Sequence, residues 1–241
     1  MSRRIDEVRG RRASEIGDRA TVATGLCAAL RTPLGPVLGG VRLCDVLRAD
    51  RLDELGFELP LAGGDEPRGW LRIERIAEVL REHVPDGDPL SGYAQRLEDP
   101  FLRRSVRGYL TGSLDLVVRR IGEDGISRFA VLDYKTNWLG EPGEPLTTYH
   151  YRPRALSAEM SRHHYALQAL LYTVALHRFL RWRLDGYDPD THLAGVAYLF
   201  VRGMTGENWL GGVSDSPGVF GWTPPVGLAA GLSDALDEGS P

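Results

Sequence analysis

Ile76, Val79 and Leu80 recur at helical spacing, which predicts an amphipathic helix over Ile73 to His83. Residues 13–32 show the same kind of pattern, closed by Pro33 and Gly35, and predict another helix. A short helix is expected over Leu43 to Arg48, a long one over residues 153–183 and a last one over 227–237. Phe57 to Leu61 reads as a short strand, with Glu54 near its start and the turn residues AGGDEP at its end. Arg107 to Arg120 (RGYLTGSLDLVVRR) and Ser127 to Thr136 (SRFAVLDYKT) are two further strands. The turn IGEDGI between them makes the pair an antiparallel hairpin. Leu193 to Arg202 (LAGVAYLFVR) predicts a buried strand, and PDGDPLSGY and EPGEPL read as loop and turn. Neither an internal repeat nor a low-complexity tract interrupts this order.

The chain has 241 residues, 42% of them hydrophobic and 26% charged. That composition is ordinary for a globular chain, and the length suits one large domain with appendages. No apolar run approaches the roughly 18 residues of a membrane span, and the start MSRRIDEVRGRR lacks an apolar signal stretch. A cytoplasmic protein without membrane contact is the expectation. Cys27 and Cys44 are too few for a four-cysteine zinc or iron–sulfur site and read as reduced thiols.

Among 29 basic residues, Lys135 is the single lysine and the other 28 are arginine. A lone lysine in so arginine-rich a chain marks a place where a compact ammonium differs from a planar guanidinium. Tyr134, not glycine, precedes it, so the chain holds no phosphate-binding GxxxxGK[ST] loop and no ATP site of that type. Charge is uneven: residues 152–183 carry six arginines and three histidines beside Glu159, while 207–241 hold five acids and neither Lys nor Arg. This is a weak pointer to a polyanionic partner, and a solvated arginine-rich face explains it equally well.

The hairpin carries the chemistry. Asp133 and Lys135 are two apart on one strand, so their side chains leave the same face. A turn centred on Asp124 sets position 115 opposite 133 and brings Asp115 to that face. Two facing carboxylates repel unless a cation lies between them. Oxygen ligands so placed suit Mg²⁺, with Mn²⁺ as the alternative ion. An Asp–Lys salt bridge at a strand end is the competing reading. On the long helix, Gln168 and Tyr172 are four apart, with His164 one turn earlier. That face either hydrogen-bonds a phosphate or base or simply rims the core. His163, His177 and His192 show no ligand spacing and are expected at the surface.

The runs GYLTGSLDLVVRR, VLDYKTNWLGE, HHYALQALLYTVALHRFLRWRLDGYD and AGVAYLFVRGM closely resemble the C-terminal nuclease domain of the RecB family. These are the beta subunits of exodeoxyribonuclease V, the RecBCD helicase–nuclease. The likeness is strong over residues 100–205 and looser from about residue 20. It implies an α/β fold of the PD-(D/E)XK restriction-endonuclease-like type, with a central mixed sheet flanked by helices. On that pattern residues 1–100 are the N-terminal helical part of the nuclease domain, 101–205 its core and 206–241 a Gly/Pro-rich acidic tail.

The resemblance further implies that Asp115 and Asp133 bind the metal together with the backbone carbonyl of Tyr134, and that Lys135 is the catalytic lysine. Gln168 and Tyr172 match a helical motif that supports the site and contacts DNA, and Glu54 matches an acidic residue on an earlier strand. The implied activity is Mg²⁺-dependent hydrolysis of DNA phosphodiesters at linear ends and single strands during break repair and recombination. The implied partners are RecC-like and RecD-like subunits and a helicase motor. One departure stands out: the family carries a metal-ligand histidine upstream, and the only histidine here before the hairpin is His83. The expectation is therefore a C-terminal fragment with an incomplete ligand set. The alternative is an inactive fragment that binds DNA or docks onto a subunit.

Overall fold

The computed structural model describes residues 18–61, 71–99, 105–106, 108–206 and 216–238. Seven strands are present among them: β1 (Arg51–Leu61), β2 (Leu71–Arg72), β3 (Ser105–Val106), β4 (Gly108–Ile121), β5 (Ser127–Lys135), β6 (Leu193–Phe200) and β7 (Val219–Trp222). The helices are α1 (Arg19–Arg31), α2 (Ile73–His83), α3 (Tyr93–Leu97), α4 (Pro153–Arg162), α5 (Tyr165–Arg183), α6 (Pro189–His192) and α7 (Leu228–Glu238). The main sheet runs β1-β4-β5-β6-β7; β5 and β6 are parallel and the other neighbours antiparallel. The chain is an α/β protein built on a mixed five-stranded sheet with flanking helices.

Two cores cover the two faces of the sheet. Helices α2, α5 and α7 close the larger one over Val117, Val131, Val196 and Tyr198. The smaller one joins Leu116, Val118, Ala130 and Leu132 to Ala29, Leu34 and Leu38. Strands buried on both faces read as continuous apolar runs. That is why VLDY and LAGVAYLF show little alternation and still form β5 and β6.

Residues 216–238 follow the Gly- and Pro-rich stretch and supply β7 and α7, with Phe220, Trp222, Leu228 and Leu232 in the larger core. Helix α1 starts at Arg19, with the Asp18 carboxylate accepting from the Thr21 N–H, and ends before Thr32. Positions 13–17, expected as its first turn, lie outside the described residues, as does Arg107.

Several expectations are corrected. Leu43 to Arg48 is not an α-helix but two 3-10 turns, Leu43–Asp45 and Arg48–Asp50, split by the extended Val46. Six residues are too few to nucleate a helix without packing support. The strand expected from Phe57 begins at Arg51, because all of it but Glu54 pairs with β4. The loop expected over PDGDPLSGY ends in helix α3, which starts at its last residue, Tyr93. The strand through Arg202 ends at Phe200, and Val201–Gly203 forms a 3-10 turn. The helix over 153–183 is two helices, broken where His164 takes a left-handed φ of 55°. His177 is buried against the Tyr187 hydroxyl at 3.0 Å rather than exposed, because its face of α5 turns toward the core.

Candidate active site

The hairpin register places Leu116 opposite Leu132 and Val117 opposite Val131, which extrapolates to Asp115 opposite Asp133. The ladder does not make that rung. Instead the Tyr134 N–H donates to the Asp115 carboxylate at 3.1 Å. On its other side, β4 pairs with β1 at Leu114–Leu55 and Leu116–Asp53, and the pair between, Asp115–Glu54, is passed over. Glu54 there has a φ of 53°, rare for a residue with a Cβ. Leu116 consequently faces the smaller core and Leu114 the larger one. A regular strand would send both to one face. Asp115 thus sits at a local twist of the sheet, with its carboxylate turned toward the end of β5.

Asp133 is 3% exposed. Its Oδ2 lies 2.5 Å from the Lys135 ammonium, at an angle outside hydrogen-bond geometry, so the contact is an ion pair that leaves this oxygen without a well-directed donor. Burial pushes the Asp133 carboxyl above its usual range; the Lys135 ammonium opposes the shift and the Asp115 charge adds to it. The Tyr172 hydroxyl is turned toward the same carboxylate. Burial and the neighbouring carboxylates raise the Tyr172 phenol as well.

Lys135 is also held from α5. Its Nζ donates to Gln168 Oε1 at 3.0 Å, and Gln168 Nε2 donates to the Tyr172 hydroxyl at 2.7 Å. The break at His164 turns α5 so that these two residues, one helical turn apart, meet the end of β5. His164 itself turns away and bonds the Tyr93 hydroxyl at 2.9 Å. Phe57 lies across Gly112 and meets the Tyr172 ring edge-on at 6.1 Å. A Cβ on Gly112 would stand 2.5 Å from the Phe57 ring, so the glycine makes the space.

The sequence-derived residues are therefore brought together with one exception. Asp115, Asp133, Tyr134, Lys135, Gln168 and Tyr172 converge at the end of the hairpin. Glu54 aligns with Asp115 in register, but its side chain is exposed. Tyr134 offers its N–H to Asp115, and its ring is 42% exposed. His83 is remote: Nδ1 faces the Val79 carbonyl at 3.0 Å, and the ring packs near Gly227 and Gly231 beside α7. Among the described residues no cluster of three or more His, Cys, Asp or Glu is placed to hold a metal.

Asn137, Glu159, Tyr165 and Tyr198 also belong to this neighbourhood, and pattern reading missed them. Tyr198 is the parallel neighbour of Asp133 on β6. Its hydroxyl reaches Gln168 Oε1 at 3.3 Å. The available signals were weak: Asn137 is one of two asparagines, and Glu159 interrupts an arginine-rich stretch.

Comparison with known proteins adds the remaining finding. The chain is 47% identical over 226 residues to the protein named RecBCD enzyme subunit RecB of Mycolicibacterium smegmatis, covering 93% of this chain and 20% of that protein. The proteins of the same name from Mycobacterium tuberculosis and Escherichia coli are 46% identical over 230 residues and 38% identical over 214. The chain spans about a fifth of the length of the first relatives it matches and 15% of the Escherichia coli one. No family model matches it.

Proposed function

From the premise that this chain is a homologue of RecB subunits over nearly its whole length, we propose that it is a divalent-metal-dependent deoxyribonuclease domain of a RecBCD-like enzyme. It would hydrolyse DNA phosphodiesters during break repair and recombination. The observation that carries the reading is the meeting of Asp115, Asp133 and Lys135 at the end of the β4–β5 hairpin, with Gln168 and Tyr172 fixing the lysine.

The residues suit a hard cation. Both carboxylates are oxygen donors, and Asp133 Oδ2 is a buried oxygen without a well-directed donor. Asp115 and Asp133, with the main chain at Tyr134, would hold Mg²⁺ or Mn²⁺. Mg²⁺ is commonly bound by one or two carboxylates and completes its shell with water and phosphate oxygens. Such an ion supplies Lewis-acid polarisation of the scissile phosphate.

The chain's own residues do the rest. The Lys135 ammonium, fixed by Gln168, stabilises the negative charge that develops on the phosphoryl oxygens. Asp133 keeps that ammonium at the β5 end, and Tyr172 holds Gln168 in turn. The arginines of residues 152–183 supply cations for the DNA backbone. Unwinding would come from a helicase motor, with RecC-like and RecD-like subunits as partners. The proposed site of action is the cytoplasm; no helix among the described residues is long and apolar enough to cross a membrane.

The test is degradation of linear single-stranded DNA with Mg²⁺ by the parent chain and by Lys135→Ala and Asp133→Ala. Cleavage by the parent and its loss in both variants is the expected result. One observation favours a second reading, a non-catalytic DNA-binding or subunit-docking module: among the described residues only two carboxylates meet at the site, and His83 is packed elsewhere. A parent chain that binds DNA but cuts none with either metal would establish that reading instead.

A further inference from the structure

The Lys135 ammonium has a neighbour on a side that Asp133 and Gln168 leave open. Its Nζ stands 4.2 Å from the centre of the Tyr165 ring and 5.1 Å from that of Tyr198. The two rings are stacked on each other at 6.1 Å with 28° between their planes, and His163 also stacks on Tyr165 at 5.6 Å. An ammonium over the face of an aromatic ring is attracted by the ring quadrupole, most strongly where water is excluded. The Lys135 side chain is 12% exposed.

The Tyr165 ring is itself oriented from behind. Asn137 Nδ2 donates to Glu159 Oε1 at 3.0 Å and to the Tyr165 hydroxyl at 3.1 Å, and that hydroxyl in turn stands within donating distance of Asn137 Oδ1 at 3.2 Å. A carboxylate only accepts, so Glu159 fixes the Asn137 amide with its nitrogen inward, and the Tyr165 hydroxyl is seated between the two amide atoms. The Glu159 side chain is 5% exposed and is held in turn by Arg162 at 2.6 Å and by His163 at 3.2 Å. The Tyr151 hydroxyl donates to the Asn137 carbonyl at 2.7 Å and anchors the backbone two residues beyond Lys135. Burying a carboxylate and an amide is costly unless each is paired. The Glu159 carboxylate and the Asn137 amide are both paired, and the relay ends at the ring under the lysine.

We propose that Tyr165 is a positioning residue, which holds the Lys135 ammonium at the site through its ring face and is itself set by Asn137 and Glu159. The consequence for cleavage rests on the nuclease reading; the hold on the lysine does not. A point charge on a four-carbon stem has no preferred direction of its own. Asp133 and Gln168 fix its distance from the sheet and from α5, and the aromatic face closes a third side. Glu159 and Tyr165 lie on either side of the helix break at His163 and His164, and both turn toward Asn137.

Because Lys135 is the single lysine, ¹³C-lysine labelling of the full chain gives one side-chain methylene resonance at Cε, provided any tag is lysine-free. Protons over a ring face are shifted upfield. The expected result is an upfield Cε–H resonance in the parent and in Tyr165→Phe, and a move toward the free amino-acid position in Tyr165→Leu and, partway, in Asn137→Leu. In Mg²⁺-supported cleavage, Tyr165→Leu should lower kcat on the order of tenfold with KM held, and Tyr165→Phe should lose less. A resonance that stays in place in a folded Tyr165→Leu variant overturns the hold. A resonance that moves while kcat does not overturns the positioning role. A resonance that follows the ring in a parent chain that cuts no DNA supports the hold and counts against the nuclease reading, so the two fail separately.

Discussion

Leu114 and Leu116 stand two residues apart on β4 and are buried in different cores. Asp115 lies between them, where the alternation of the strand changes sense, and opposite it Glu54 has a left-handed backbone. Burying each leucine contributes roughly 1.5–3 kcal/mol. The packing of both sheet faces therefore holds the twist in place, and the twist leaves the Asp115 carboxylate to receive the Tyr134 N–H in place of a ladder partner.

Glu54 tests this twist directly. A residue with a Cβ loses about 1–2 kcal/mol in the left-handed region. Glu54→Gly should therefore be about 0.5–1 kcal/mol more stable than the parent in urea denaturation, the gain reduced by glycine's greater unfolded entropy. Glu54→Val should be less stable by a similar or larger amount. Equal stability of the two variants would mean that the strand passes position 54 without strain.

Asp133 should limit stability at neutral pH. Its carboxyl titrates above the ordinary value of 3.8 in the folded chain, chiefly through burial. The folded state then holds that proton more readily than the unfolded one. The stability it contributes is complete below the ordinary value and is lost as pH rises through the folded value. Asp133→Asn removes that loss, so the variant should match or exceed the parent's stability at neutral pH and fall level with it in acid. The same change should abolish cleavage, a trade of stability for function. A variant clearly less stable than the parent at neutral pH would sink the argument.

Metal binding can be read without activity. A ligand that binds only the folded state stabilises it by about 2.7 kcal/mol at a hundred times its Kd. Mg²⁺ should raise the parent's Tm, chelation should reverse the rise, and Asp115→Asn and Asp133→Asn should each lose most of it. A Tm that responds equally in all three chains would place the ion elsewhere.

The break between α4 and α5 depends on a left-handed His164 held by the Tyr93 hydroxyl. His164→Val should cost about 2 kcal/mol, from the backbone and the lost hydrogen bond together. Its effect should reach Lys135, because the turn aims Gln168. A Val variant with parental stability and cleavage would show that the site does not need this break.

Much of the site was legible in the sequence because it is local. Asp133 and Lys135 share a strand, a six-residue turn sets Asp115 across from them, and Gln168 and Tyr172 are one helical turn apart. Strand and helix periods dictate such relations without knowledge of distant contacts. Glu54 was legible as an acid near a strand but not as an exposed residue in a left-handed conformation, because that follows from pairing with β4 on one side and packing on both faces. The run from 153 to 183 looked like a single helix, since neither residue at the break is glycine or proline.

The sequence by itself determined the hairpin and its register, the helix over Ile73 to His83 and the residues Asp115, Asp133, Lys135, Gln168 and Tyr172. Only the tertiary structure decided which partners they meet. Asp115 faces Tyr134 because a sheet twist interrupts the ladder. Tyr198 joins the site because β6 runs parallel beside β5, and the pairing of Tyr198 with Asp133 is set by that register alone. Tyr165 reaches Lys135 because α4 and α5 break at His164. These contacts join residues far apart in the chain, and their free energy is realised only when the two cores close on the sheet.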